Sequence, residues 1–378
     1  MKFVSPLLKH VVYPGLSKAG YLRRAGQSEP AVLTYHGVLP AGYKIIDPQL
    51  DGNLVSPESF RGQLQFLQDR YNIISPKEFL NWCEGWCELP ARSVLLTCDD
   101  GLRNCFYDML PLLQEFEIQC LFFVTGASLS PMPTMLWYEQ LYLMIVAAHK
   151  DFTIELPQTG GRIQASPSTK HSTWWELVKK LSQHDPEGRK RLLETIRVQS
   201  GLGENWDAKY SEDPALRRRF LLLNQSELKQ LVASGACVGA HTLSHPMLSQ
   251  SSTEVAWTEI SENKRALDQV LGQETWALAY PFGDSTSVSL RELEMAERAG
   301  FTAAFMNIDE GRTSISNFSF HRMHVTADMS LTDLEARISG FHRTLQQLFR
   351  PSERLRTGRH SDLCARKRNH SKGRESCA

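Results

Sequence analysis

Short apolar runs alternate along the chain with longer segments whose apolar residues recur every three or four positions. The short runs have the length of buried strands, and the longer segments have the period of amphipathic helices. A capping residue followed by proline marks a helix start at Ser56-Pro57. Because strands and helices alternate, the pattern predicts an α/β protein with a mostly parallel sheet. The expected elements are strand 31–35, helix 56–71, strand 72–74, a helix from Pro76, strand 93–97, helix 104–116, strand 118–124, helix 226–234, strand 237–240, helix 252–271, strand 276–280, helix 287–300, strand 302–305, strand 318–325 and helix 331–349.

Three polar motifs each follow one of these short apolar runs. The first is Thr97-Cys98-Asp99-Asp100-Gly101, the second runs from His241 to His245, and the third is Tyr280-Pro281-Phe282-Gly283. Taken singly, each is more often a turn or a surface pair than a functional site. The strand ends of an α/β barrel point to one face, so motifs in these places converge. Adjacent carboxylates combined with two histidines suit a metal-dependent hydrolase, in which one carboxylate binds the metal and its neighbour acts as a base.

The motifs resemble those of the polysaccharide deacetylases, also called the NodB-homology domain or the fourth carbohydrate esterase family. That family's first motif is Thr-Phe-Asp-Asp-Gly, with Cys98 here in place of phenylalanine, and its second, His-[Ser/Thr]-x-x-His, is matched in full. Its third, Arg-x-Pro-[Tyr/Phe]-Gly, is matched except that Ala279 replaces the arginine. The resemblance spans roughly residues 31–348, and Tyr35-His36 resembles the Tyr-His that opens one branch of the family. It implies a distorted, incomplete (β/α) barrel rather than a doubly wound sheet, and no glycine-rich dinucleotide fingerprint follows any strand.

The resemblance also implies a metal centre and a catalytic base. Asp99 would be the general base, and Asp100, His241 and His245 would bind one divalent metal ion. Two imidazoles and one carboxylate leave a fourth coordination position open, which is the arrangement of a catalytic zinc site. Zinc is therefore the leading metal, although other divalent ions suit the same ligands.

The third motif and one further histidine complete the expected site. Contacts with the substrate and its oxyanion are expected from Tyr280, Pro281, Phe282 and Gly283, with the Phe282 N–H as the oxyanion donor. The leaving amine needs a proton from a general acid, which in the family is a histidine. His36 and His324 are both candidates for this acid, and His36 is favoured because it follows strand 31–35 in the branch that begins with Tyr-His.

The missing arginine of the third motif needs a replacement. In the family this arginine pairs with the catalytic aspartate, and Ala279 cannot do so. Arg322, on the predicted late strand, is the candidate to support the base Asp99 instead. Without such a partner, a neighbouring carboxylate would raise the pKa of Asp99 while a metal ion would lower it.

Residues 130–224 interrupt the strand–helix repeat and are predicted to form a mainly helical insertion. Helices are expected at 136–148, 172–182, 186–199 and 214–223, with a hairpin of residues 151–156 and 162–165. The insertion follows the C-terminal side of a barrel strand, so it is expected to overhang the active face. Its aromatic residues either stack against a sugar or, as we favour, bury the added layer: Trp137, Tyr138, Tyr142, Trp174, Trp175 and Trp206. The domain prediction is an extension over 1–29, a deacetylase-like barrel over 30–349, and a basic tail over 350–378.

Composition places few further limits on function. The chain has 378 residues, 42% of them hydrophobic and 22% charged, as in ordinary globular proteins, and a net charge of zero. From residue 350 onward, nine basic and three acidic residues form a tail that we expect to be disordered, and no nucleic-acid partner is expected. The eight cysteines are scattered and do not suggest a disulfide framework. Residues 1–9 lack the apolar core of a secretory signal, which predicts a cytoplasmic protein, with peripheral membrane contact through the basic segment 6–24 left open.

Three functional hypotheses follow from the sequence. The favoured one is removal of an N-acetyl group from an amino sugar in a glycan, exopolysaccharide or glycolipid pathway, with lipid- or nucleotide-linked sugars among the candidate substrates. The second keeps the same fold and chemistry but assigns a non-carbohydrate amide as the substrate. The third is an inactive glycan-binding protein, which the complete set of Asp99, Asp100, His241 and His245 argues against. The sugar, its carrier and the oligomeric state stay open.

Overall fold

The computed structural model describes residues 7–22, 29–148, 151–156, 161–166, 168–308, 316–342 and 344–345. The predicted basic tail from residue 350 lies outside these ranges, and so does part of the predicted extension over 1–29. The described part of that extension includes the helix Tyr13–Lys18. Tyr13 and Leu22 are buried there in one cluster with Ala336 of the last helix, so this segment packs onto the main body of the fold.

Eleven strands and fourteen α-helices are found in the described ranges. The strands are β1 Ala31–Tyr35, β2 Asn72–Ile73, β3 Ser93–Cys98, β4 Leu121–Val124, β5 Phe152–Leu156, β6 Gly161–Ala165, β7 Cys237–Ala240, β8 Ala277–Ala279, β9 Ala303–Met306, β10 Phe320–His321 and β11 Met323–His324. The α-helices are Tyr13–Lys18, Pro48–Asp51, Pro57–Arg70, Pro76–Cys83, Leu110–Glu115, Trp137–Ala147, Lys170–Leu181, Pro186–Gln199, Ala208–Glu212, Pro214–Phe220, Gln225–Ala233, Thr253–Leu271, Leu290–Arg298 and Leu331–Ile338. Two π-helical segments, Leu8–Val12 and Cys105–Met109, and two 3₁₀ segments, Gly126–Leu129 and Leu248–Gln250, complete the set.

Eight strands form a nearly closed parallel barrel, which confirms the predicted fold class. Their order is β10-β9-β8-β7-β4-β3-β1-β11, and β2 pairs in addition with the start of β3. The ladders that join these strands are all parallel. The open seam lies between β10 and β11, which are consecutive in the chain and separated only by Arg322. The two halves of this late segment therefore pair with strands on opposite sides of the seam.

Alternate residues of the strands face the inside and the outside of the barrel. Val32, Leu95, Phe123 and Phe305 share a buried cluster with Phe79 of the helix Pro76–Cys83. Their chain neighbours Leu33, Leu96 and Phe122 belong to a second cluster with Phe60 and Leu64, which lie on an outer helix. Since side chains alternate along a strand, Thr97 and Asp99 follow Leu95 on the inner side, and Arg322 follows Phe320.

A glycine makes room for the large aromatic side chain inside the barrel. Gly239 is paired with Phe123 across the β4–β7 ladder. A Cβ atom at Gly239 would lie 2.6 Å from ring carbons of Phe123, which is closer than real Cβ contacts. The Phe123 ring in turn lies beneath the Arg322 guanidinium, 5.2 Å from its central carbon. Gly239 therefore lets Phe123 pack under the one arginine that the barrel interior presents to Asp99.

Two predicted boundaries differ from the structure for reasons of pairing. Strand 118–124 begins only at Leu121, because β2 pairs with Ser93 and Val94 at the start of β3 and leaves β4 to pair from Thr97 onward. The single strand predicted at 318–325 is split at Arg322 into β10 and β11, because its first half pairs with β9 and its second half with β1.

Two predicted helices also differ. Helix 104–116 begins as the π-helical segment Cys105–Met109 and continues as Leu110–Glu115. Pro111 has no N–H to donate to the carbonyl four residues before it, so a regular α-helical ladder cannot pass this point. The last helix is Leu331–Ile338, shorter than the predicted 331–349. Gly340 follows with a φ of 75°, a left-handed conformation that is typical beyond a helix end.

The region 130–224 folds into helices and one antiparallel hairpin, β5–β6, with Ile154 opposite Ile163. The helix Ala208–Glu212 was not predicted, and the helix from Pro214 ends at Phe220 instead of residue 223. The buried cluster of this region contains Trp137, Leu177 and Ile196, together with Met247 from the barrel. In the described part of the chain, the helices all lack the length or the apolar character that crossing a membrane requires.

Candidate active site

The predicted site residues lie together at one end of the barrel. Parallel strands carry their C-terminal ends to the same face, so residues that directly follow these strands become neighbours. Asp99 and Asp100 follow β3, His241 follows β7, and His36 follows β1. His324 ends β11, which pairs with β1. The third motif follows β8.

Asp100, His241 and His245 form a buried cluster that suits a metal ion. One ligand atom from each lies within 4.8 Å of the others. Asp100 Oδ1 is 3.5 Å from His241 Nε2 and 3.3 Å from His245 Nε2, yet it has no hydrogen-bond partner in the described structure. A buried carboxylate oxygen without a donor is costly, and a cation among these three atoms would satisfy it. The donor set and its geometry therefore fit a divalent metal ion.

The backbone and its neighbours fix the orientation of both histidines. His241 Nδ1–H donates to the Ala279 carbonyl at 2.7 Å, which leaves its Nε2 lone pair facing Asp100. The His241 N–H is held by the Val124 carbonyl and by Asn263 Oδ1, each at 3.0 Å. The His245 N–H donates to Thr242 Oγ1 at 3.1 Å. Such outer contacts set the tautomer and direction of metal-binding histidines.

The electrostatics of the cluster favour an ionised Asp100. Burial would raise the pKa of Asp100, but the two imidazoles hold it well below its usual value. Burial lowers the pKa of His241, while Asp100 and Asp99 outweigh burial and raise it. For His245, burial prevails and the pKa is lowered. The cluster thus holds one anionic oxygen next to two imidazole nitrogens.

Arg322 lies against Asp99, the expected base. Its Nη1 and Nη2 each donate to one oxygen of Asp99 at 2.6 Å, and Nη1 also reaches Thr97 Oγ1 at 3.1 Å. The Arg322 side chain is fully buried, and that of Asp99 is 4% exposed. Burial would raise the pKa of Asp99, but Arg322 and then His241 lower it below its ordinary value. Arg322 is thus the cation that contacts Asp99, whereas Ala279 carries no charge.

His36 and His324 lie side by side, with ring centroids 4.7 Å apart. His36 Nδ1 and His324 Nε2 are buried and have no hydrogen-bond partner among the described residues. Burial, and then His36, lower the pKa of His324 to about 3. His324 is therefore a neutral imidazole at neutral pH.

The third motif forms a strained turn against the metal cluster. Phe282 has a φ of 59°, and its ring lies 4.9 Å from that of His245. Its N–H makes no hydrogen bond within the described part of the chain. Gly283 has a φ of 68°, and a Cβ there would lie 2.6 Å from the Asn307 nitrogen, so only glycine fits. Tyr280 points the other way, into the outer core, where its hydroxyl donates to the Phe318 carbonyl at 3.1 Å.

Backbone strain is concentrated in these motifs. Six non-glycine residues in the described ranges have positive φ, and four of them are Asp100, Thr242, His245 and Phe282. Each such conformation costs on the order of 1–3 kcal/mol and persists only where the surrounding structure enforces it. Strain shared by three separate motifs that meet in space is typical of a functional site rather than of a stabilising core.

Comparisons with known proteins agree with the motifs. A sequence model of the family "Polysaccharide deacetylase" matches residues 201–304, which include His241, His245 and the third motif. The Bacillus subtilis (strain 168) protein "Putative polysaccharide deacetylase YxkH" is 24% identical over 110 residues, or 29% of this chain and 38% of that protein. The resemblance to the polysaccharide deacetylase family is confirmed.

The fold is similar to that of a solved deacetylase structure. The Streptococcus pyogenes deacetylase PplD in complex with acetate has a TM-score of 0.51 and 20% identity, over 82% of this chain and 97% of that chain. IcaB from Ammonifex degensii has a TM-score of 0.49 and 19% identity over the same shares. At 20% identity, the likeness to PplD concerns the fold alone. The Bacillus subtilis match covers well under half of that relative.

Beyond the polysaccharide deacetylase motifs, the structure adds Tyr138 from the insertion. Its hydroxyl donates to Asp100 Oδ2 at 3.2 Å, and its ring lies 4.7 Å from the His245 ring. From the sequence, Tyr138 was grouped with aromatic residues that bury the insertion or stack on a sugar. Its contact with Asp100 was not predicted, because the two residues are 38 positions apart in the chain. The sequence feature that could have indicated this contact is the position of Tyr138 in the segment that follows the C-terminal end of β4. Trp206, from the same group, packs on Tyr210 instead.

Proposed function

We propose that the chain is a metal-dependent hydrolase that removes an N-acetyl group from an amino sugar. One observation carries the proposal: Asp99, paired with Arg322, lies directly beside the Asp100–His241–His245 cluster. The first group is a carboxylate that stays ionised and can accept a proton, and the second can hold a divalent metal, for which zinc is our first choice. The family match supports a carbohydrate as the substrate.

Asp99 would act as the general base. A divalent ion on the three ligands would polarise the acetyl carbonyl and lower the pKa of a water molecule to about 7. Asp99 accepts the proton from the attacking water, because Arg322 keeps its carboxylate ionised and fixes both of its oxygens. The reaction forms a bond from oxygen to the acetyl carbon and breaks the C–N bond, which gives acetate and a free amine.

His36 is the better candidate for the general acid. The leaving nitrogen needs a proton, and the acid must carry one before the C–N bond breaks. A pKa of about 3 leaves His324 without that proton at neutral pH. In this proposal His36 donates the proton, and His324 positions the His36 ring 4.7 Å away.

The Phe282 N–H is the candidate donor for the oxyanion. It makes no hydrogen bond among the described residues, it belongs to the strained turn, and the ring of the same residue lies 4.9 Å from the His245 ring. A backbone donor fixed in advance stabilises charge that develops on the acetyl oxygen without any rearrangement during the reaction. The turn needs glycine at Gly283, because a Cβ there would lie 2.6 Å from the Asn307 nitrogen.

The test measures acetate release from a panel of N-acetylated sugars, including free, polymeric, nucleotide-linked and lipid-linked forms. Metal-stripped protein should release no acetate, and added zinc should restore the release. Asp99→Asn should lower kcat by about 10²- to 10⁴-fold, the usual contribution of a general base, while zinc still binds. Replacing the exposed Asp151 by asparagine is the matched control and should leave kcat unchanged.

Three outcomes would separate the hypotheses. Zinc-dependent acetate release that is lost in Asp99→Asn supports the proposal and begins to name the substrate. Full turnover by Asp99→Asn would refute the assigned base. Zinc binding without acetate from any sugar would leave a different amide substrate or a glycan-binding protein without activity.

A further inference from the structure

We propose that the insertion is a clamp on the metal ligands, with Trp137, Tyr138 and Arg189 as positioning residues of the metal centre. The inference rests on the proposed metal site but not on the identity of the substrate. All three side chains come from the insertion, and each donates a hydrogen bond to a metal ligand or to the segment that carries the two histidines. None of them belongs to the three motifs.

Tyr138 holds the carboxylate ligand. Its hydroxyl donates to Asp100 Oδ2 at 3.2 Å, so Oδ1 is the oxygen left to face the histidines. The Tyr138 ring also contacts the rings of His245 and Phe282, with centroid distances of 4.7 and 5.6 Å. Its own backbone is fixed by Trp174, whose Nε1 donates to the Tyr138 carbonyl at 2.7 Å. The phenol therefore limits both the rotation of the carboxylate and the position of one imidazole.

Trp137 and Arg189 bind residues of the second motif directly. Trp137 Nε1 donates to the His245 carbonyl at 3.1 Å. Arg189 Nη1 donates to the Ser244 carbonyl at 3.1 Å and to Ser244 Oγ at 3.0 Å. The guanidinium lies 4.8 Å above the Trp137 ring, and both side chains are at most 9% exposed. The Ser244 N–H also donates to Glu259, which lies on the helix Thr253–Leu271 of the barrel. The segment is therefore bound both by the insertion and by the barrel.

Two further hydrogen bonds extend the clamp beyond the histidines. The Met247 N–H donates to Ser182 Oγ at 3.0 Å, and Ser251 Oγ donates to the Ser182 carbonyl at 3.0 Å. His245, whose backbone has positive φ, lies between Ser244 and Met247, and the insertion binds both of these residues. A strained ligand segment keeps its shape only where its surroundings over-determine it. The insertion adds its hydrogen bonds to those that Thr242 of the motif and Glu259 of the barrel make with the same segment.

The test uses Tyr138→Phe, which removes one polar atom and keeps the ring, and Trp137→Phe, which removes the indole N–H together with part of the ring system. In Tyr138→Phe and Trp137→Phe, we expect zinc affinity, measured by competition with a chelator, to fall about 10- to 100-fold, as is typical when outer partners of metal ligands are lost. At saturating zinc, kcat should fall more than KM changes. Trp206→Phe is the matched control, because Trp206 packs within the insertion and its indole N–H has no partner in the described structure. It should leave zinc affinity unchanged.

Zinc affinity separates this inference from a purely structural role. If Tyr138→Phe and Trp137→Phe lower the melting temperature of the metal-free protein but bind zinc as tightly as the wild type, the clamp is refuted. If they weaken zinc binding while Trp206→Phe does not, the clamp is supported. The readout does not depend on acetate release, so failure to deacetylate any sugar would overturn the proposed function and leave the clamp decided by the zinc titration.

Discussion

Replacing Arg322 by methionine removes the cation beside Asp99 and keeps a side chain of similar length. Arg322→Lys is the companion change, because lysine keeps the charge but cannot donate two parallel hydrogen bonds to a carboxylate. Both substitutions lie inside the barrel, at the single residue between β10 and β11. They therefore test whether this position sets the ionisation of Asp99.

The expected size of the effect follows from the contact. Both Asp99 oxygens accept hydrogen bonds from Arg322 at 2.6 Å, and neither side chain is more than 4% exposed. An opposite charge at such a distance lowers a carboxylate pKa by about 1–3 units, which corresponds to about 1.4–4 kcal/mol. Burial raises the pKa of Asp99, and without Arg322 this effect is opposed mainly by His241 and by any bound metal. The pKa of Asp99 should therefore rise by about 1–3 units.

The sign of the pH effect is the same for activity and for stability. Because the folded state lowers the pKa of Asp99 below its usual 3.8, its contribution to the free energy of unfolding is present above that value and is lost as the pH falls through the folded-state pKa. In Arg322→Met the aspartate must be protonated or remain buried without a partner, and breaking such a pair costs about 3–5 kcal/mol.

The assay is the pH dependence of kcat/KM with saturating zinc, with zinc occupancy measured for each variant. In Arg322→Met the acid limb should move to higher pH by about 1–3 units, with activity partly recovered at high pH. Arg322→Lys should move it less. A folded, zinc-loaded Arg322→Met protein whose acid limb coincides with that of the wild type would refute the assigned role of Arg322.

Two further predictions concern His36 and Glu139. His36→Gln should lower kcat by about 100-fold or more and His324→Gln by less, since only His36 is assigned as the proton donor; the reverse order would contradict the assignment. Glu139 shares the buried cation Arg219 with Asp51, and burial, although opposed by Arg219, raises the pKa of Glu139 to about 7. The folded state then keeps a proton that the unfolded chain releases from about pH 4.5 upward, so the free energy of unfolding should fall as the pH rises toward 7. Relative to Glu139→Gln, the wild type should lose up to about 3 kcal/mol between pH 4.5 and 7 in urea unfolding, and a constant difference would disprove this reading.

Local signals were sufficient for most elements of the barrel. The helix Pro57–Arg70 starts where a capping serine precedes proline, and Ser56 Oγ accepts the Ser59 N–H as that pattern predicts. The helix Pro186–Gln199 has the predicted bounds, because Asp185 caps it in the same way. The parallel barrel was predicted through the motifs, since the alternation of strands and helices alone also suits an open sheet.

Pairing between strands decided the details that periodicity could not. The late start of β4 at Leu121 and the break at Arg322 both depend on which strand pairs with these segments. The local sequence pattern does not indicate the pairing partner. The same limit applies to the insertion, whose helices were predicted but whose contacts were not.

The sequence by itself determined which groups are available: two carboxylates after β3, two histidines after β7, and a turn after β8 that needs glycine at Gly283. Tertiary structure alone decided their partners. Arg322 reaches Asp99 across 223 residues, and Tyr138 reaches Asp100 across 38. The physical reason is that ligand type and strand-end position are local properties, whereas the pairing of buried charges is set by barrel closure and by where the insertion packs.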